Sequence, residues 1–245
     1  MAEVNKLQII YQQLLSNYGK QGWWPVTEEG KIYPEYHPNN YTHPKTDTQV
    51  LEIIFGAILT QNTSWKNVEK AIANLNEHHL VNIHNILDIN QEELAEIIRS
   101  SGYHNQKAKK LKNVCLFLCQ HPIEELSAKN IHELRALLLS VNGIGPETAD
   151  SMLLYAFKKP IFVIDAYTKR IFSRIGVCRT DINYQALQDM FHKEFDTINK
   201  TNTTEKAALF NEYHALLVEH AKKYCRTKPD CDNCILNKNC NKLIA

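Results

Sequence analysis

The 245-residue sequence has no strong excess of either charge, because 28 Lys and Arg are balanced by 27 Asp and Glu. A net charge of +1 argues against a globally basic nucleic-acid binder, although local basic clusters can still bind a short track of phosphates. No apolar run approaches the ~20 residues that a membrane-spanning helix needs. The first residues also lack a basic stretch followed by an apolar core, so we expect no signal peptide and a cytoplasmic protein without membrane contact.

A cysteine pattern suited to disulfides is also missing. The seven cysteines are an odd number, and four of them, Cys225, Cys231, Cys234 and Cys240, lie close together. This pattern favours a metal or cluster site over a disulfide framework. Four thiolates are the usual ligands of a [4Fe–4S] cluster, whereas zinc sites more often pair two short Cys-x-x-Cys elements, and only one is present. Residues 225–240 therefore predict a [4Fe–4S] loop, with zinc as the alternative.

Strand signals, repeats and low-complexity tracts are scarce, whereas apolar residues recur with helical spacing along most of the chain. The predicted helices are Val4–Tyr18, Thr48–Leu59, Trp65–Leu75, Val81–Leu87, Gln91–Ile98, Gln106–Cys119, Ala128–Ser140, Pro146–Lys158, Tyr167–Ile175, Tyr184–Phe195 and Thr204–Lys223. We therefore predict an all-α fold. Residues 19–48 form a long irregular segment, and its adjacent Trp23 and Trp24 are expected either in the core or in the wall of a pocket.

The turn Gly143-Ile144-Gly145 separates two predicted helices, and Pro146 suits the first position of the second. Glycines permit a tight turn and close approach to a ligand, and the free N–H groups of a helix start can bind a phosphate. A plain packing element is the alternative. Twenty residues after Gly145, Asp165 ends the apolar run that starts at Ile161. We interpret Asp165 as a catalytic carboxylate, although Asp also suits a helix N-cap.

The segments Val141–Asp150 and Val163–Asp165 resemble the helix-hairpin-helix–Gly/Pro-Asp superfamily of DNA glycosylases, and the resemblance extends over most of the chain. It implies two helical lobes with the active-site cleft between them. Residues 46–158 would form a six-helix lobe with the hairpin at about 131–158, and residues 1–45 plus 159–245 a second lobe with the iron–sulfur loop. It also implies double-stranded DNA with a damaged base as partner, a monomeric, nucleoid-associated prokaryotic protein, and a monovalent cation at the hairpin backbone.

The same resemblance implies roles for single residues. Ile58–Thr63 resembles the endonuclease III segment whose glutamine fills the gap left by the extruded base, and this assigns that role to Gln61. Gly102–Ala108 resembles the loop that wedges between bases of the other strand, and this assigns Tyr103. Contacts to the DNA backbone are expected from Gly143, Ile144, Gly145, Thr148, Lys107, Arg226 and Lys228.

Glu147 stands where strand-cutting members of the family have a lysine that forms a Schiff base with the sugar. A carboxylate cannot do this, so a monofunctional glycosylase that uses water is favoured. Asp165 would then stabilise the positive sugar and orient or deprotonate the water. Rival readings are an oxidised-pyrimidine glycosylase with AP lyase activity, a mismatch-specific glycosylase, and a non-enzymatic iron–sulfur DNA-binding protein.

The aromatic residues suggest a substrate. Trp23-Trp24-Pro25 and Gln61–Trp65 resemble the 3-methyladenine DNA glycosylase III branch. The resemblance implies a flipped alkylated purine that is cationic and leaves easily, so that π faces can select it. The base pocket would consist of Trp23, Trp24, Trp65, Asn62 and Glu147.

Overall fold

The computed structural model describes residues 6–198 and 202–243 of the chain. Its helices are α1 (Lys6–Tyr18), α2 (Asp47–Leu59), α3 (Trp65–Glu77), α4 (Ile83–Asp88), α5 (Gln91–Ile97), α6 (His104–Gln120), α7 (Ile123–Ala128), α8 (Ile131–Ser140), α9 (Pro146–Ser151), α10 (Ala166–Ile175), α11 (Tyr184–Ile198) and α12 (Thr203–Lys223), with 3₁₀ turns at Arg99–Ser101 and Asn237–Asn239. Val4 and Asn5, at the start of the first predicted helix, lie outside the described residues. Apart from an isolated bridge between Val26 and Glu35, the described residues contain no β-structure, and the expected all-α fold is confirmed.

The chain forms two compact units. Trp24–Lys159 makes up one, here called the hairpin unit, and the chain up to Trp23 together with the chain from Pro160 onward makes up the other, the terminal unit. The sequence-based division differs from this one, because it grouped residues 24–45 with the chain termini. These residues belong with the hairpin unit, since the Thr27 N–H donates to Glu52 on α2 (2.8 Å) and the Gln49 side chain donates back to the Thr27 carbonyl (3.3 Å).

The core of the hairpin unit is built around α2, in which every residue from Gln49 to Leu59 is buried. The dense apolar sequence of this helix predicts burial nearly all round, and the prediction is confirmed. Thr46 caps its start, with the side chain accepting a hydrogen bond from the Gln49 N–H. Such a cap satisfies one of the free donors of a helix start.

The helical hairpin follows from α8 through Val141–Gly145 into α9, which continues as a π-helical turn over Met152–Ala156. A bidentate ion pair joins the two helices, because Arg135 on α8 donates to both carboxylate oxygens of the buried Asp150 on α9 (2.6 and 3.1 Å). The planar guanidinium fixes orientation as well as distance in such a pair. The hairpin therefore has a defined geometry.

The terminal unit packs aromatic side chains of its helices around Tyr213 on α12. Phe162 stacks on Phe191 with ring centroids 3.7 Å apart, and Tyr213 donates from its hydroxyl to the Leu7 carbonyl on α1 (2.7 Å). The extended run Ile161–Ile164 is buried in this core and leads directly into Asp165 at the start of α10. None of the described helices combines the length and apolarity that a membrane crossing requires.

Candidate active site

Asp165 lies where the buried extended run of the terminal unit meets α10. Its carboxylate accepts a hydrogen bond from the Thr168 N–H (2.7 Å) and caps the helix, which confirms the structural role that was the alternative for this residue. The side chain is only 12% exposed. A carboxylate held this way by a helix start has a fixed orientation.

His214 lies beside this carboxylate, and Trp23 and Lys222 follow it in a series of neighbouring side chains of the same unit. His214 on α12 is buried, and its Nε2 lies 3.5 Å from Asp165 Oδ2. The Trp23 ring meets the His214 ring edge-on, with centroids 6.0 Å apart, and the Lys222 ammonium lies 5.9 Å from the Trp23 ring centroid. An anion, an imidazole, an aromatic face and an amine are therefore grouped at one place.

The electrostatics keep Asp165 charged. Burial alone would raise the pKa of Asp165, but the interactions with His214 and Thr168 outweigh it and hold the pKa below its usual range. Desolvation lowers the pKa of Lys222, while the Glu219 and Asp165 carboxylates act in the opposite direction. Asp165 is thus suited to stabilise positive charge and is a weak proton acceptor.

The backbone of the hairpin turn requires glycine at one of its two glycine positions and not at the other. Gly143 has φ = +96°, and an added Cβ would meet Lys110 Cγ at 2.6 Å, so this position requires glycine. Gly145 has φ = −96°, and nothing lies within 4 Å of an added Cβ. The fold therefore does not require glycine at position 145, and its missing side chain leaves the backbone open to a ligand from outside.

The other predicted hairpin contacts have buried side chains. Ile144 is 6% exposed and its N–H donates to the Val141 carbonyl (3.1 Å), while Thr148 is 7% exposed. Gln61 donates to Thr148 Oγ1 (2.9 Å) and to the Gly143 carbonyl (3.3 Å), and its own oxygen accepts from Lys110. The predicted gap-filling residue is thus tied to the hairpin.

Tyr103, the predicted wedge, and Asn62, predicted for the base pocket, lie at exposed turns with left-handed backbone. Tyr103 is 64% exposed, has φ = +48° and immediately precedes α6. Asn62 is exposed and has φ = +55°. Glu147 is also exposed, at the second position of α9. Arg226 and Lys228 are exposed in the cysteine-rich loop of the terminal unit.

The prediction for Lys107 needs correction. It is only 2% exposed, and its ammonium donates to the carbonyls of Leu59 (2.8 Å) and Ser101 (2.7 Å), at the ends of α2 and of a 3₁₀ turn. Burial, with the neighbouring Lys110 charge, lowers the pKa of Lys107 to about 8. Lys112 likewise donates to three carbonyls at the end of α4. Lys107 and Lys112 therefore bind carbonyls at the ends of helices inside the protein.

Trp24 also differs from its expected place in the base pocket. It is 8% exposed, packs edge-on against Trp65 with centroids 5.4 Å apart, and lies against Tyr155 and Gly56. Such packing leaves no aromatic face for a base, so Trp24 is a core residue and the expectation of stacking is corrected. Trp65 is partly exposed, and its buried Nε1 has no hydrogen-bond partner within the described chain.

Cys225, Cys231, Cys234 and Cys240 line one cavity of about 360 Å³, which includes its opening to solvent. Burial raises the pKa of Cys234 and the three other cysteines raise it further, so the sulfurs lie close enough to repel one another as thiolates. Within residues 225–240, no three sulfurs lie within 4.8 Å of one another. Four thiols around one cavity are a ligand set suited to an iron–sulfur cluster or to zinc.

His214 and Lys222 were not found from the sequence. A histidine and a lysine inside a long amphipathic helix carry no local signal of function, since both residue types are common on structural helices. The packing of α12 on α10 brings them to Asp165, which lies about fifty residues earlier in the chain.

Comparisons with known proteins identify the family of the chain. Residues 55–196 match the model of the HhH-GPD superfamily base excision DNA repair proteins. The chain is 43% identical, over 96% of its length and 97% of the relative, to a candidate DNA repair glycosylase of Methanocaldococcus jannaschii. It is 29% identical to endonuclease III of Sulfolobus acidocaldarius, over 90% of this chain and 94% of that protein.

Solved structures give the same result. The crystal structure of Helicobacter pylori 3-methyladenine DNA glycosylase (MagIII) bound to 1,N6-ethenoadenine superposes with a TM-score of 0.68 at 27% identity, covering 90% of this chain and 98% of that one. A non-covalent endonuclease III–DNA complex superposes with a TM-score of 0.69 at 19% identity, covering 98% and 96%, and supports the fold alone. The chain therefore belongs to the HhH-GPD superfamily of base excision DNA repair proteins, which confirms the prediction of a DNA glycosylase.

Proposed function

We propose that this glycosylase is monofunctional and hydrolyses the N-glycosidic bond of an alkylated purine, such as 3-methyladenine, in double-stranded DNA. The observation that carries the proposal is the grouping of Asp165 with His214 and Trp23. It provides a charged carboxylate of fixed orientation next to an aromatic ring.

The proposed reaction begins with the cationic base extruded from the duplex. When the C1′–N9 bond breaks, its electron pair stays with the purine and neutralises it, while positive charge develops on the sugar. Asp165 stabilises that charge, and an oriented carboxylate in a water-poor site is the main electrostatic contribution. Water then adds to C1′ and loses one proton, in the end to solvent, because the low pKa of Asp165 makes it a transient acceptor only.

We propose that the hairpin holds the DNA backbone through its main chain, with Gly145 as the point of closest approach. Gln61 fills the gap left by the extruded base, and Tyr103 wedges into the opposite strand. The exposure of Tyr103 supports its role. The three hydrogen bonds of Gln61 to the hairpin and Lys110 indicate that its filling role requires only a local side-chain movement. Arg226 and Lys228 add phosphate contacts.

The substrate class is supported by two features. The Trp23 ring lies against His214, which neighbours the catalytic carboxylate, and a π face favours a cationic purine over a neutral base. The Helicobacter relative is a 3-methyladenine DNA glycosylase bound to a modified purine. Trp65, Asn62 and Glu147 are proposed to line the pocket on the strength of the sequence resemblance.

One observation favours a second candidate function, a glycosylase that also cleaves the strand. Desolvation lowers the pKa of Lys222, whereas the charge of Asp165 acts to raise it. A lysine amine with a lowered pKa can form a Schiff base with an abasic sugar. Lysine is absent from position 147, where the strand-cutting family members have it, so we favour hydrolysis.

We also propose that Cys225, Cys231, Cys234 and Cys240 hold a [4Fe–4S] cluster. The position of all four cysteines around a common cavity supports this proposal. Arg174 would help to hold this loop, because its guanidinium donates to the Arg226 carbonyl (2.6 Å) and to the Thr227 carbonyl (3.1 Å). The cluster supplies a structural cross-link and takes no part in the reaction.

The experiment that tests the proposal is a base-release panel with the purified protein. Duplexes would carry methylated purines, an oxidised pyrimidine such as thymine glycol, or an undamaged T·G mispair. We expect release of 3-methyladenine at least about a hundredfold faster than release from the other two. Preferred release of the oxidised pyrimidine or of the mispaired thymine would replace the proposed substrate class.

A further inference from the structure

Three potential metal ligands meet in the irregular segment of the hairpin unit, far from the cysteine-rich loop in sequence. One ligand atom each from Glu28, His37 and His43 lies within 4.8 Å of the other two. Glu28 Oε1 is 3.8 Å from His37 Nε2 and 3.5 Å from His43 Nε2. The two imidazole rings stack, with centroids 3.9 Å apart and planes inclined by 11°.

The cluster is not explained by hydrogen bonds among its own members. Separations of 3.5 and 3.8 Å exceed the usual N–H···O range. His37 Nε2, the nitrogen that lies 3.8 Å from Glu28 Oε1, is buried and has no hydrogen-bond partner in the part of the chain that the structure describes. The His43 side chain is 5% exposed. Buried polar atoms are nearly always satisfied, and a bound ion is one recognised explanation for those without a protein partner.

Charge repulsion does not favour a doubly protonated pair. Two stacked imidazolium rings would repel each other, and Lys45 Nζ, 3.8 Å from Glu28 Oε1, adds a further positive charge. A neutral imidazole has a free lone pair, which is the form that binds a metal.

We propose that Glu28, His37 and His43 bind one Zn²⁺ ion, with water as the fourth ligand. Two imidazole nitrogens and a carboxylate oxygen are a common zinc ligand set. Mg²⁺ and Ca²⁺ prefer oxygen ligands alone and are disfavoured by two imidazoles. The bond lengths of ~2.0–2.2 Å require the three side chains to converge and the stacked rings to tilt apart. The half-exposed Lys45 ammonium would leave Glu28 at little cost, since such surface pairs are weak.

The ion would close the loop between Glu28 and His43. The tip of this loop exposes Ile32, Tyr33 and Tyr36, which are 38%, 57% and 42% exposed. One hydrogen bond already anchors the loop to α3, because the Asn76 side chain donates to the Ile32 carbonyl (2.9 Å). Zinc would add a second tie at its base, so its role is structural. This inference does not depend on the proposed catalytic reaction.

The test is a ZnCl₂ titration of the full-length protein by calorimetry, with metal content measured after dialysis. Because cysteine thiolates that hold no cluster can also bind zinc, wild type is compared with Glu28→Gln and His37→Gln, which keep all cysteines. We expect wild type to bind one zinc equivalent more than either variant, and affinity at this site to fall at least about tenfold on loss of a ligand. His84→Gln, which replaces an exposed histidine of the same unit, should bind as wild type does.

Two further readouts keep the test decisive. Zinc should raise the thermal unfolding midpoint of wild type and of His84→Gln, because a ligand that binds only the folded state stabilises it. The midpoints of Glu28→Gln and His37→Gln should rise less. Co²⁺ at this site should give visible bands without thiolate charge-transfer absorption. Equal zinc content in all four folded proteins, or cobalt spectra of wild type with thiolate bands alone, would overturn the proposal. The near-isosteric Glu28→Gln decides the matter if His37→Gln does not fold.

Discussion

Asp165 and Glu147 are two carboxylates at the starts of helices, yet their surroundings differ in almost every respect. Asp165 is nearly buried, accepts from the Thr168 N–H and lies beside His214. Glu147 is exposed at the second position of α9. The hairpin around Glu147 buries the side chains of Ile144 and Thr148 and leaves backbone at its surface.

We propose that the two regions have different functions. At Asp165 a side chain is held in one orientation and kept charged, which is what stabilisation of a developing cation needs. At the hairpin, our proposal is that the main chain contacts DNA, while buried side chains such as Ile144 and Thr148 fix the shape of the turn. Changes of side chain should therefore affect chemistry at Asp165 and affect binding or stability at the hairpin.

The largest effect is expected from Asp165→Asn. Asparagine can still accept from the Thr168 N–H but carries no charge, so the cationic sugar loses its stabilisation. Base release under single-turnover conditions should fall by at least about 10²–10³-fold, the cost of removing one preorganised electrostatic group. Affinity for DNA measured by fluorescence anisotropy should stay within about threefold. Near-normal release would remove Asp165 from the catalytic role.

Lys107→Met should mainly reduce stability. The change leaves the buried carbonyls of Leu59 and Ser101 without their donor, which should lower the free energy of unfolding by about 1–3 kcal/mol in urea titrations. The salt dependence of DNA binding should not change, because the ammonium is buried. Lys109→Met is the matched control, since this neighbour is exposed and its loss should alter stability by less than about 0.5 kcal/mol. If DNA binding by Lys107→Met depended less steeply on salt concentration than that of wild type, Lys107 would be a phosphate contact.

His214→Phe should shift the pH dependence of base release. The interaction with His214 helps to lower the pKa of Asp165 against the effect of burial, so its removal should raise that pKa. Release requires the charged carboxylate and is lost as the pH falls through the pKa, so the acidic limb of the profile should move to higher pH. The rate near pH 7 should fall about tenfold. His214→Gln, which can keep a hydrogen bond, should restore part of the shift, whereas an unchanged profile in both variants would make His214 purely structural.

The same shift has a consequence for stability. Because the folded pKa of Asp165 lies below its unfolded value of ~3.9, the group contributes stability that is present above that value and is lost as the pH falls through the folded pKa. Acid unfolding of His214→Phe should therefore begin at a higher pH than that of the wild type. Circular dichroism measured against pH checks this expectation.

The smallest effects are expected from the glycine pair. Gly145→Ala should leave stability unchanged or raise it by up to about 1 kcal/mol, since φ is negative and space is open. It should weaken DNA binding several-fold if the backbone approaches DNA there. Gly143→Ala should instead cost about 1–2 kcal/mol, because of the positive φ and the contact with Lys110. Unchanged DNA binding by Gly145→Ala would argue against a close backbone approach.

The sequence predicts best what depends on local pattern. The helical spacing of apolar residues predicts the all-α fold, and the short motifs around Gly143 and Asp165 predict the family. The helix Ile123–Ala128 escaped prediction, because six residues are too few for a clear helical period. The apolar spacing predicts an ordinary α-helix through Met152–Ala156, whereas the structure has a π-helical turn there.

What could not be predicted depends on contacts between distant parts of the chain. Lysine spacing in α6 cannot show that Lys107 reaches the carbonyls at the ends of other helices. Nothing near Trp24 indicates that it packs on Trp65 while the adjacent Trp23 lies beside His214. Neighbours in sequence have opposite roles here because only tertiary packing decides which side chain is buried.

The central claim, hydrolytic release of an alkylated purine at Asp165, is tested most directly by following the strand after base release. Wild-type protein would be incubated with end-labelled methylated duplex, with and without borohydride, and the strand analysed under conditions that do not cleave abasic sites. We predict released 3-methyladenine, an intact abasic strand and no covalent protein–DNA adduct. A cleaved strand with a borohydride-trapped adduct that Lys222→Met abolishes would contradict the account and assign the chemistry to the lysine.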